Sequence, residues 1–568
     1  MKPTAFLLAG LVFGVLFAGC ASPEEPQPAP GTWVAPEAVP GVDDPTLSKT
    51  GRWLAPFEGE VPAVNMGLLP GGDVLYYSGV EARETAGPTE LTFFTSNPHE
   101  GESRVLTLRE NGFEIRTPEL ATGGGGDLFC SGHTLLADGT ILAAGGSDWH
   151  NQPNLSPFLA GSTDSRVFDP ATGNWTVGSD MVLGRWYPTV LSMPNGDAMA
   201  ISGIGDLTNP MQQWEQMEQY ENGTWSAATA EQLLPLYPRV FVVPSGPMEG
   251  HLFYNTVGTM WGPFGEHPRE LEWSFQYEID PEVGVTQLDR SVYGGRQHAN
   301  SVMLPLLPSE DYAAKLLTFG GSLYQTAVAT PFAEIADLST YPPANTATMD
   351  LAHARWHANG VLLPTGEVMA IGGGIYDNVI LHGQPNIAVM TPELFDPATE
   401  TWTELPEMSV ERMYHSSAIL LDDGRVLAGG HVPLPNPSPT LRDTVQPQIA
   451  ETRLEIYEPG YLFRGERPHI AGGNTTGHHG GTLDVVVGGE VSGFVLARPG
   501  QTTHAWDNSQ RVIGLEWAQP DGDGYNFTVT LPPNANVAPP GDYMLFALRN
   551  HPDGDVPSDG YWIRIENV

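Results

Sequence analysis

Five side chains whose types bind metals or carry redox chemistry stand out along the chain: Cys130, Tyr187, Tyr414, His415 and His504. Cys130, in GDLFCSGH, has no partner for an internal disulfide, because the second cysteine, Cys20, closes a segment typical of an export signal. The five supply two imidazoles, two phenols and a thiol. Imidazole together with oxygen donors in tetragonal geometry suits Cu(II). Each residue taken singly is weak evidence, since a buried cysteine usually acts as a small hydrophobe.

A repeated phrase indicates how the fold positions these residues. It consists of a turn with glycine, a short apolar run rich in β-formers, and a closing Gly or Gly-Gly. Seven copies end at Gly79, Gly146, Gly203, Gly258, Gly321, Gly374 and Gly430. A second phrase, as in SRVFDPATGNWT and PELFDPATETWT, adds an aromatic strand, a tight turn and a Trp. The two phrases resemble kelch repeats and predict a seven-bladed β-propeller.

The repeat register brings distant residues together. Cys130 precedes the strand of the second copy, Tyr187 occupies the corresponding position of the next blade, and Tyr414 and His415 occupy that of the last blade. Equivalent positions in the blades of a ring converge on its axis. Cys130 and Tyr187 are therefore expected to meet despite their separation in sequence.

Composition and pattern divide the chain into four segments and predict an all-β protein. With 66 Gly, 52 Pro and many aromatic residues, the composition favours several hydrophobic layers separated by turns. We predict a signal peptide over residues 1–20, a Pro-rich tether over 21–48, the propeller over 49–465 and a small immunoglobulin-like β-sandwich over 466–568. His504 lies in a hairpin of the sandwich, from which a loop could reach into the ring.

The start of the chain predicts export. An apolar run ends in FAGC, which resembles a bacterial lipobox, so Cys20 is expected to be lipidated and to anchor the protein at the outer membrane or cell surface. The alternative is an ordinary signal peptide and a secreted protein. The net charge of −42 argues against binding to nucleic acid or anionic lipid surfaces. Membrane attachment is expected only through the lipidated N-terminus, and the protein is expected to be a monomer.

Five phrases in order along the chain resemble one known family. FCSG, RWYPT, ERMYHS, TTHAWDNSQR and PPGDYMLF are similar to motifs of the copper radical oxidases, the group that contains galactose oxidase and glyoxal oxidase. The resemblance implies one copper ion bound by Tyr187, Tyr414, His415 and His504. It also implies a thioether between Cys130 and Tyr187, which stores a radical on Tyr187, while Tyr414 acts as the general base.

The same resemblance implies the reaction: oxidation of a small aldehyde, as its hydrate, or of a primary alcohol, with O2 reduced to H2O2. RWYPT is closer to the glyoxal oxidase branch, which favours aldehydes. In galactose oxidase a tryptophan covers the linked Cys and Tyr. Here Asp206 lies near the matching point and Trp214 lies further along, so the sequence leaves the covering residue open.

Three further residues flank the predicted site: Arg185, Trp186 and His133. They could orient substrate, or they could support the blades by packing and hydrogen bonding, which is the stronger expectation for Trp186. His478 and His479, in a Gly-rich turn without further ligands, are expected to lie in a solvated loop.

Two other classes of function remain open from the sequence. One is a non-catalytic kelch propeller that binds glycan or protein at the cell surface, with no copper and a free thiol at Cys130. The other is a zinc hydrolase that uses His415 and His504, although a third His or carboxylate ligand is not evident.

Overall fold

The structure is a computed structural model of the chain. It describes residues 43–78, 103–109, 112–119, 128–148, 160–206, 212–259, 270–323, 328–376, 387–432, 451–520 and 524–566. The predicted signal peptide, Cys20 and most of the predicted tether lie outside the described residues.

Seven units of four antiparallel strands follow one another along the described part of the chain, and we name them sheets 1 to 7. Sheets 1 to 3 comprise Asn65–Leu68, Val74–Tyr77, Ser103–Arg109 and Gly112–Arg116; Gly132–Leu135, Ile141–Ala144, Ser165–Asp169 and Asn174–Val177; and Thr189–Ser192, Ala198–Ile201, Gln216–Glu221 and Thr224–Glu231. Sheets 4 and 5 comprise Val240–Val242, Leu252–Tyr254, Phe275–Asp280 and Gly284–Arg290; and Asn300–Met303, Lys315–Phe319, Ala333–Asp337 and Ala344–Ala347. Sheets 6 and 7 comprise Asn359–Leu362, Val368–Ile371, Glu393–Asp396 and Thr401–Glu404; and Ser416–Leu420, Val426–Gly430, Arg453–Glu458 and the N-terminal Arg52–Trp53.

The repeated phrases form the core of these sheets. The first two strands of each sheet are almost entirely buried, whereas the outermost strands are mostly exposed or half-buried. The Trp of the second phrase lies in the outer hairpin. Trp175 packs against Phe168 with ring centroids 5.3 Å apart, and Trp402 packs against Phe395 at 5.0 Å.

The two ends of the seven-sheet region meet. Arg52–Trp53 pairs with Arg453–Glu458, and the guanidinium of Arg52 lies 2.7 Å from the carboxylate of Glu458. A second N-terminal strand, Phe57–Glu58, pairs with the same strand. The first strand of sheet 1 also lies against the first strand of sheet 7. The first and last sheets are thus joined although the chain between them spans most of the protein.

The C-terminal region contains two further sheets. One contains His469–Gly473, Thr482–Gly488, Glu516–Ala518 and Asn526–Thr530, and the other contains Thr476–His478, Gly493–Arg498, Arg511–Gly514, Gly541–Arg549, Val556–Pro557 and Tyr561–Glu566. Their apolar faces share one core that extends to residues of sheets 4 and 5, including Phe253 and Leu316. The C-terminal region is therefore packed firmly onto the seven-sheet region.

One hairpin of the C-terminal region joins sheet 1. Its strands are Gln501–Thr503 and Trp506–Asp507, and Thr503 pairs with Asn65 on the first strand of sheet 1. His504 and Ala505 form the tip, both with positive φ. The hairpin therefore carries His504 from the C-terminal region to the inner strands, as the sequence predicted for a loop from that domain.

The remaining elements are short. Ser147–Asp148, Ala160–Gly161, Ile204–Asp206 and Gln212–Gln213 form one small sheet, and Val257–Gly258, Arg296–Gln297 and Ser322–Leu323 form another. The helical segments are Leu47–Thr50, Glu270–Ser274, Pro308–Glu310 and Gly460–Phe463. Within the described ranges, no helix has the length and apolar character needed to cross a membrane.

Candidate copper and radical site

In each of sheets 2 to 7, a residue that stands one to three positions before the first strand adopts the left-handed backbone conformation. These residues are Cys130 (φ 64°), Tyr187 (63°), Tyr237 (42°), His298 (52°), His357 (64°) and His415 (65°). Non-glycine residues seldom adopt this conformation, and each costs on the order of 1–3 kcal/mol, so they concentrate at functional sites. The same backbone conformation recurs at the start of six consecutive sheets, so this end of the innermost strands is a candidate functional site.

Backbone hydrogen bonds connect several of these positions. The amide of Tyr187 donates to the carbonyl of Cys130, and the amide of Tyr237 donates to that of Tyr187, both at 3.0 Å. The amide of His357 donates to the carbonyl of His298, also at 3.0 Å. Neighbouring sheets thus place these residues side by side at the start of their innermost strands.

The five residues predicted to carry chemistry form one buried cluster. The Tyr187 hydroxyl lies 3.4 Å from Nε2 of His415 and shares a hydrogen bond with the Tyr414 hydroxyl. Sγ of Cys130 lies 3.9 Å from Nε2 of His504, and the ligating atoms of Cys130, His415 and His504 lie within 4.8 Å of one another. The structure therefore brings together residues from sheets 2, 3 and 7 and from the C-terminal hairpin.

The two histidines present matching nitrogen atoms to the cluster. Nδ1 of His415 donates to the carbonyl of Val432 at 2.6 Å, and Nδ1 of His504 lies 2.8 Å from the Thr503 hydroxyl. Such contacts fix the tautomer and orientation of histidines that bind metals through the other nitrogen. Both Nε2 atoms are the ones that approach the thiol and the phenol.

Burial sets the protonation of the cluster. Burial lowers the pKa of His415 to about 3 and lowers the pKa of His504 well below its usual value, with the charge of His415 contributing to the latter. Burial also raises the pKa of Tyr187 well above its usual value. Neutral imidazoles with free lone pairs are metal ligands, and a bound cation would favour the phenolate that burial disfavours. The donor set of two imidazoles and two phenols fits Cu(II).

Trp186 covers the Tyr187 ring. The two rings are stacked, with centroids 3.7 Å apart and an interplanar angle of 9°. Trp214, the residue that the sequence left open, packs over Gly205 and donates its indole N–H to the carbonyl of Gly184 at 2.7 Å. Tyr187 has the left-handed conformation, and its ring stacks on the residue that precedes it. The sequence predicted that Trp186 packs beside the site, but it did not indicate that Trp186 covers the Tyr187 ring.

Arg185 has a structural role. Its side chain is fully buried, forms an ion pair with Glu218 at 2.9 Å, and donates to the carbonyls of Ser202 and Gln216, both at 2.6 Å. The same pairing recurs as Arg296 with Glu334, Arg355 with Glu393 and Arg412 with Glu455. These arginines hold the segment that leads into each innermost strand.

The other flanking histidines also contact the protein framework. His133 is buried between sheets 1 and 2, with Nδ1 3.0 Å from the side-chain amide of Asn65 and Nε2 3.4 Å from the Met66 carbonyl. His478 is half-exposed, and Nε2 of His479 lies 2.8 Å from the Ala538 carbonyl. His478 and His479 belong to the C-terminal region.

The structure adds three residues that the sequence reasoning missed. The Tyr237 ring packs against those of Tyr187 and His504, with centroid distances of 4.7 and 4.5 Å, and these two rings lie 4.6 Å from each other. His298 and His357 lie beside Tyr414, at 6.5 and 5.0 Å. A signal was present in the sequence, because RQH and RWH repeat the arginine spacing of RWY.

Two family models match the chain. "Glyoxal oxidase N-terminus" matches residues 287–461, and "Galactose oxidase-like, Early set domain" matches residues 467–565. The chain resembles the copper radical oxidases.

Individual copper radical oxidases resemble most of the chain at low identity. Galactose oxidase of Gibberella zeae is 27% identical over 459 residues, which cover 77% of this chain and 61% of that protein. Aldehyde oxidase GLOX of Vitis pseudoreticulata is 28% identical over 492 residues, which cover 82% of this chain and 85% of that protein. The chain thus spans less than two thirds of the length of galactose oxidase.

A solved structure has the same fold. It is described as a novel fungal alcohol oxidase of the AA5 family in complex with copper. Its TM-score is 0.70 at 22% identity, with 91% of this chain and 99% of that chain covered. At this level of identity the similarity establishes the fold, an all-β architecture with an early set domain, and the chemistry must be argued from the site.

Proposed function

We propose that this protein is a copper radical oxidase that oxidises small aldehydes, as their hydrates, or primary alcohols, and reduces O2 to H2O2. The observation that carries the proposal is the buried cluster of Cys130, Tyr187, Tyr414, His415 and His504. Similarity to oxidases of this family supports it. The proposed architecture is a seven-bladed propeller in which sheets 1 to 7 are the blades and the cluster lies on the axis.

One copper ion would be held by Tyr187, Tyr414, His415 and His504. When bound, this ion would supply Lewis acidity toward the substrate oxygen and a one-electron acceptor beside the Tyr187 radical, so that the two centres would together take up two electrons. The contacts of both histidines through Nδ1 would hold their Nε2 atoms in place for this ion.

The protein groups divide the remaining steps. Cys130 and Tyr187 would form a thioether through loss of the thiol hydrogen and one ring hydrogen, with O2 as the oxidant. Tyr414 would take the hydroxyl proton of the substrate as general base. The oxidised Tyr187 would take a hydrogen atom from the adjacent carbon. The hydrate of an aldehyde then becomes a carboxylic acid, and O2 accepts the two hydrogens as H2O2.

Trp186 and Tyr237 would protect the radical. Both rings lie against Tyr187, and Trp186 is only 4% exposed, so water has little access to the oxidised ring. An indole stacked face to face on the phenol also provides electron density next to the electron-poor radical.

We further propose export, with lipidation at Cys20 and attachment to the outer membrane or cell surface, or secretion after ordinary signal cleavage. The working form would be a monomer. The aldehyde substrates of the glyoxal oxidase branch are favoured over galactose by the RWYPT phrase.

Reconstitution with Cu(II) in air tests the function. We expect about one copper per chain and peroxide release with methylglyoxal or glyoxal, and less with glycerol and galactose. The zinc-loaded protein is the matched control, because zinc has no redox chemistry and should give no peroxide. Protein that holds no copper after reconstitution, or copper-loaded protein that releases no peroxide from any of these substrates, would contradict the proposal.

A further inference from the structure

His298 and His357 form a pair of imidazoles beside the cluster. They precede the first strands of sheets 5 and 6, and their ring centroids lie 4.8 Å apart. Each is only 1% exposed, and each adopts the left-handed conformation. Their backbones are joined by the hydrogen bond from the His357 amide to the His298 carbonyl. The fold therefore holds both rings rigidly at one place.

The pair has unsatisfied hydrogen-bonding capacity. Within the described residues, neither ring nitrogen of His298 or of His357 has a hydrogen-bond partner. His133, His415 and His504, which are also buried, do have partners, whereas His431 has one unpartnered ring nitrogen, Nδ1. Leaving a buried polar group unpaired costs about 1–3 kcal/mol, so such groups usually have a ligand or water as partner.

The pair lies beside Tyr414, the proposed general base. The His357 ring lies edge-on to that of Tyr414, with centroids 5.0 Å apart at 89°, and 6.4 Å from that of His504. The His298 ring packs on that of Trp356 at 4.0 Å and lies 6.5 Å from that of Tyr414. The two imidazoles thus lie on the Tyr414 side of the cluster.

Each of the two rings offers two nitrogen atoms for hydrogen bonding. Burial lowers the pKa of each well below its usual value, and the charge of buried Arg239 adds to the effect. Unlike the arginines that pair with a buried glutamate, Arg239 interacts electrostatically with the phenols of Tyr237 and Tyr254. A neutral imidazole offers one donor and one acceptor. The pair can therefore both give and accept a hydrogen bond from one small polar group.

We propose that His298 and His357 bind the second hydroxyl group of an aldehyde hydrate and thereby select hydrates over primary alcohols. The inference rests on the proposed oxidase function. A hydrate carries two hydroxyls on the reacting carbon: one loses its proton to Tyr414, and the other needs partners. A primary alcohol has a hydrogen in that place, so the imidazoles stay unsatisfied, and sites built to hydrogen-bond a hydroxyl discriminate strongly against analogues that lack it.

Methylglyoxal and hydroxyacetone form a matched pair of substrates for the test, since the hydrate of the first differs from the second by one hydroxyl. We expect His357→Phe and His298→Phe each to lower the ratio of kcat/KM for methylglyoxal to that for hydroxyacetone by about 10- to 100-fold, measured from initial rates of peroxide release. His357→Gln, which keeps a donor and an acceptor, should recover part of the ratio. His353→Phe, four residues away in a half-exposed position, is the control and should leave the ratio unchanged.

A binding measurement gives a second readout. Pyruvate, the product from methylglyoxal, retains both oxygens on the reacting carbon. Its calorimetric affinity for the Cu(II) protein should fall about 10-fold in the two Phe variants and remain unchanged in His353→Phe.

Three results would overturn the inference. The first is an equal loss of kcat/KM for methylglyoxal and hydroxyacetone in the two Phe variants, and the second is an unchanged affinity of both variants for pyruvate. The third is a second copper ion per wild-type chain that these variants lose. Failure of the proposed function would look different, because the wild-type protein would then release no peroxide from either substrate.

Discussion

The thioether between Cys130 and Tyr187 makes a prediction about stability as well as chemistry. The two residues share a buried cluster, and the amide of Tyr187 donates to the carbonyl of Cys130 at 3.0 Å. They lie 57 residues apart in the sequence. A covalent link between them would close a loop of that length in the unfolded chain and reduce its entropy. We compare protein matured with copper in air with protein that has never contained copper, after removal of the metal from both.

The magnitude follows from the loop length. In the chain-entropy treatment of cross-links, closing a loop of 57 residues removes about 14 cal/mol/K from the unfolded state, or about 4 kcal/mol at 25 °C. The native state already holds the two residues side by side, so the link should add little strain there. We therefore expect the matured, metal-free protein to be more stable by about 4 kcal/mol.

Equilibrium unfolding in urea measures this difference, and mass spectrometry verifies the link. Maturation should lower the intact mass by about 2 Da, and a joined peptide should contain Cys130 and Tyr187. Tyr187→Phe is the matched control, because it keeps the ring and its packing but removes the phenol that must be oxidised. Cys130→Ala removes the sulfur. Neither variant should gain stability from exposure to copper and air.

Two results would refute the reasoning. One is a matured protein whose Cys130 is fully alkylated after denaturation, which would exclude the link. The other is a joined peptide without a change in unfolding free energy, which would show that the loop-closure argument fails for this pair of residues.

Three other predictions concern the residues around the site. Glu393→Gln should lower the free energy of unfolding in urea by about 3–5 kcal/mol, because it leaves the fully buried guanidinium of Arg355 without its carboxylate. A decrease below about 1 kcal/mol would contradict a structural role for this pair. Trp186→Leu should preserve copper binding but shorten the lifetime of the Tyr187 radical, by about fivefold for a stack that contributes about 1 kcal/mol. Its absorption and electron paramagnetic resonance follow the radical, and an unchanged lifetime would argue against protection by the indole. Burial lowers the pKa of His133 from 6.5 to about 4, so below pH 6.5 the unfolded chain binds more protons than the folded protein. The free energy of unfolding of the metal-free protein should therefore fall by about 3 kcal/mol from this residue between pH 6.5 and 4. His133→Gln should show a correspondingly weaker dependence of unfolding free energy on pH, and identical pH profiles would count against this prediction.

The sequence was sufficient for the all-β architecture and for the residues of the cluster. The repeated phrases form the inner strands because each short apolar run, bounded by turns, is buried on both faces when sheets pack side by side. Cys130, Tyr187 and His415 were recognisable because each stands one or two residues before the first strand of its sheet. These features are local and periodic, and local patterns are readable without a fold.

The sequence also contains a signal for His298 and His357, which is the spacing from the preceding arginine. His298 and His357 follow an arginine at the same spacing as Tyr187, in RQH, RWH and RWY. The shared arginine spacing places all three at equivalent positions in their sheets. Their lack of hydrogen-bond partners could only be seen once all the neighbouring side chains were placed.

The sequence by itself determined which chemical groups this protein has and the order in which the repeats present them. The tertiary structure decided which side chains surround the reactive phenol. Trp186, adjacent to Tyr187, would point to the opposite face of a regular strand, but the left-handed turn at Tyr187 stacks the two rings. Trp214 was the alternative in sequence, yet its indole packs over Gly205. A single backbone angle, held by packing between neighbouring sheets, set this arrangement, and residue spacing carries no information about it.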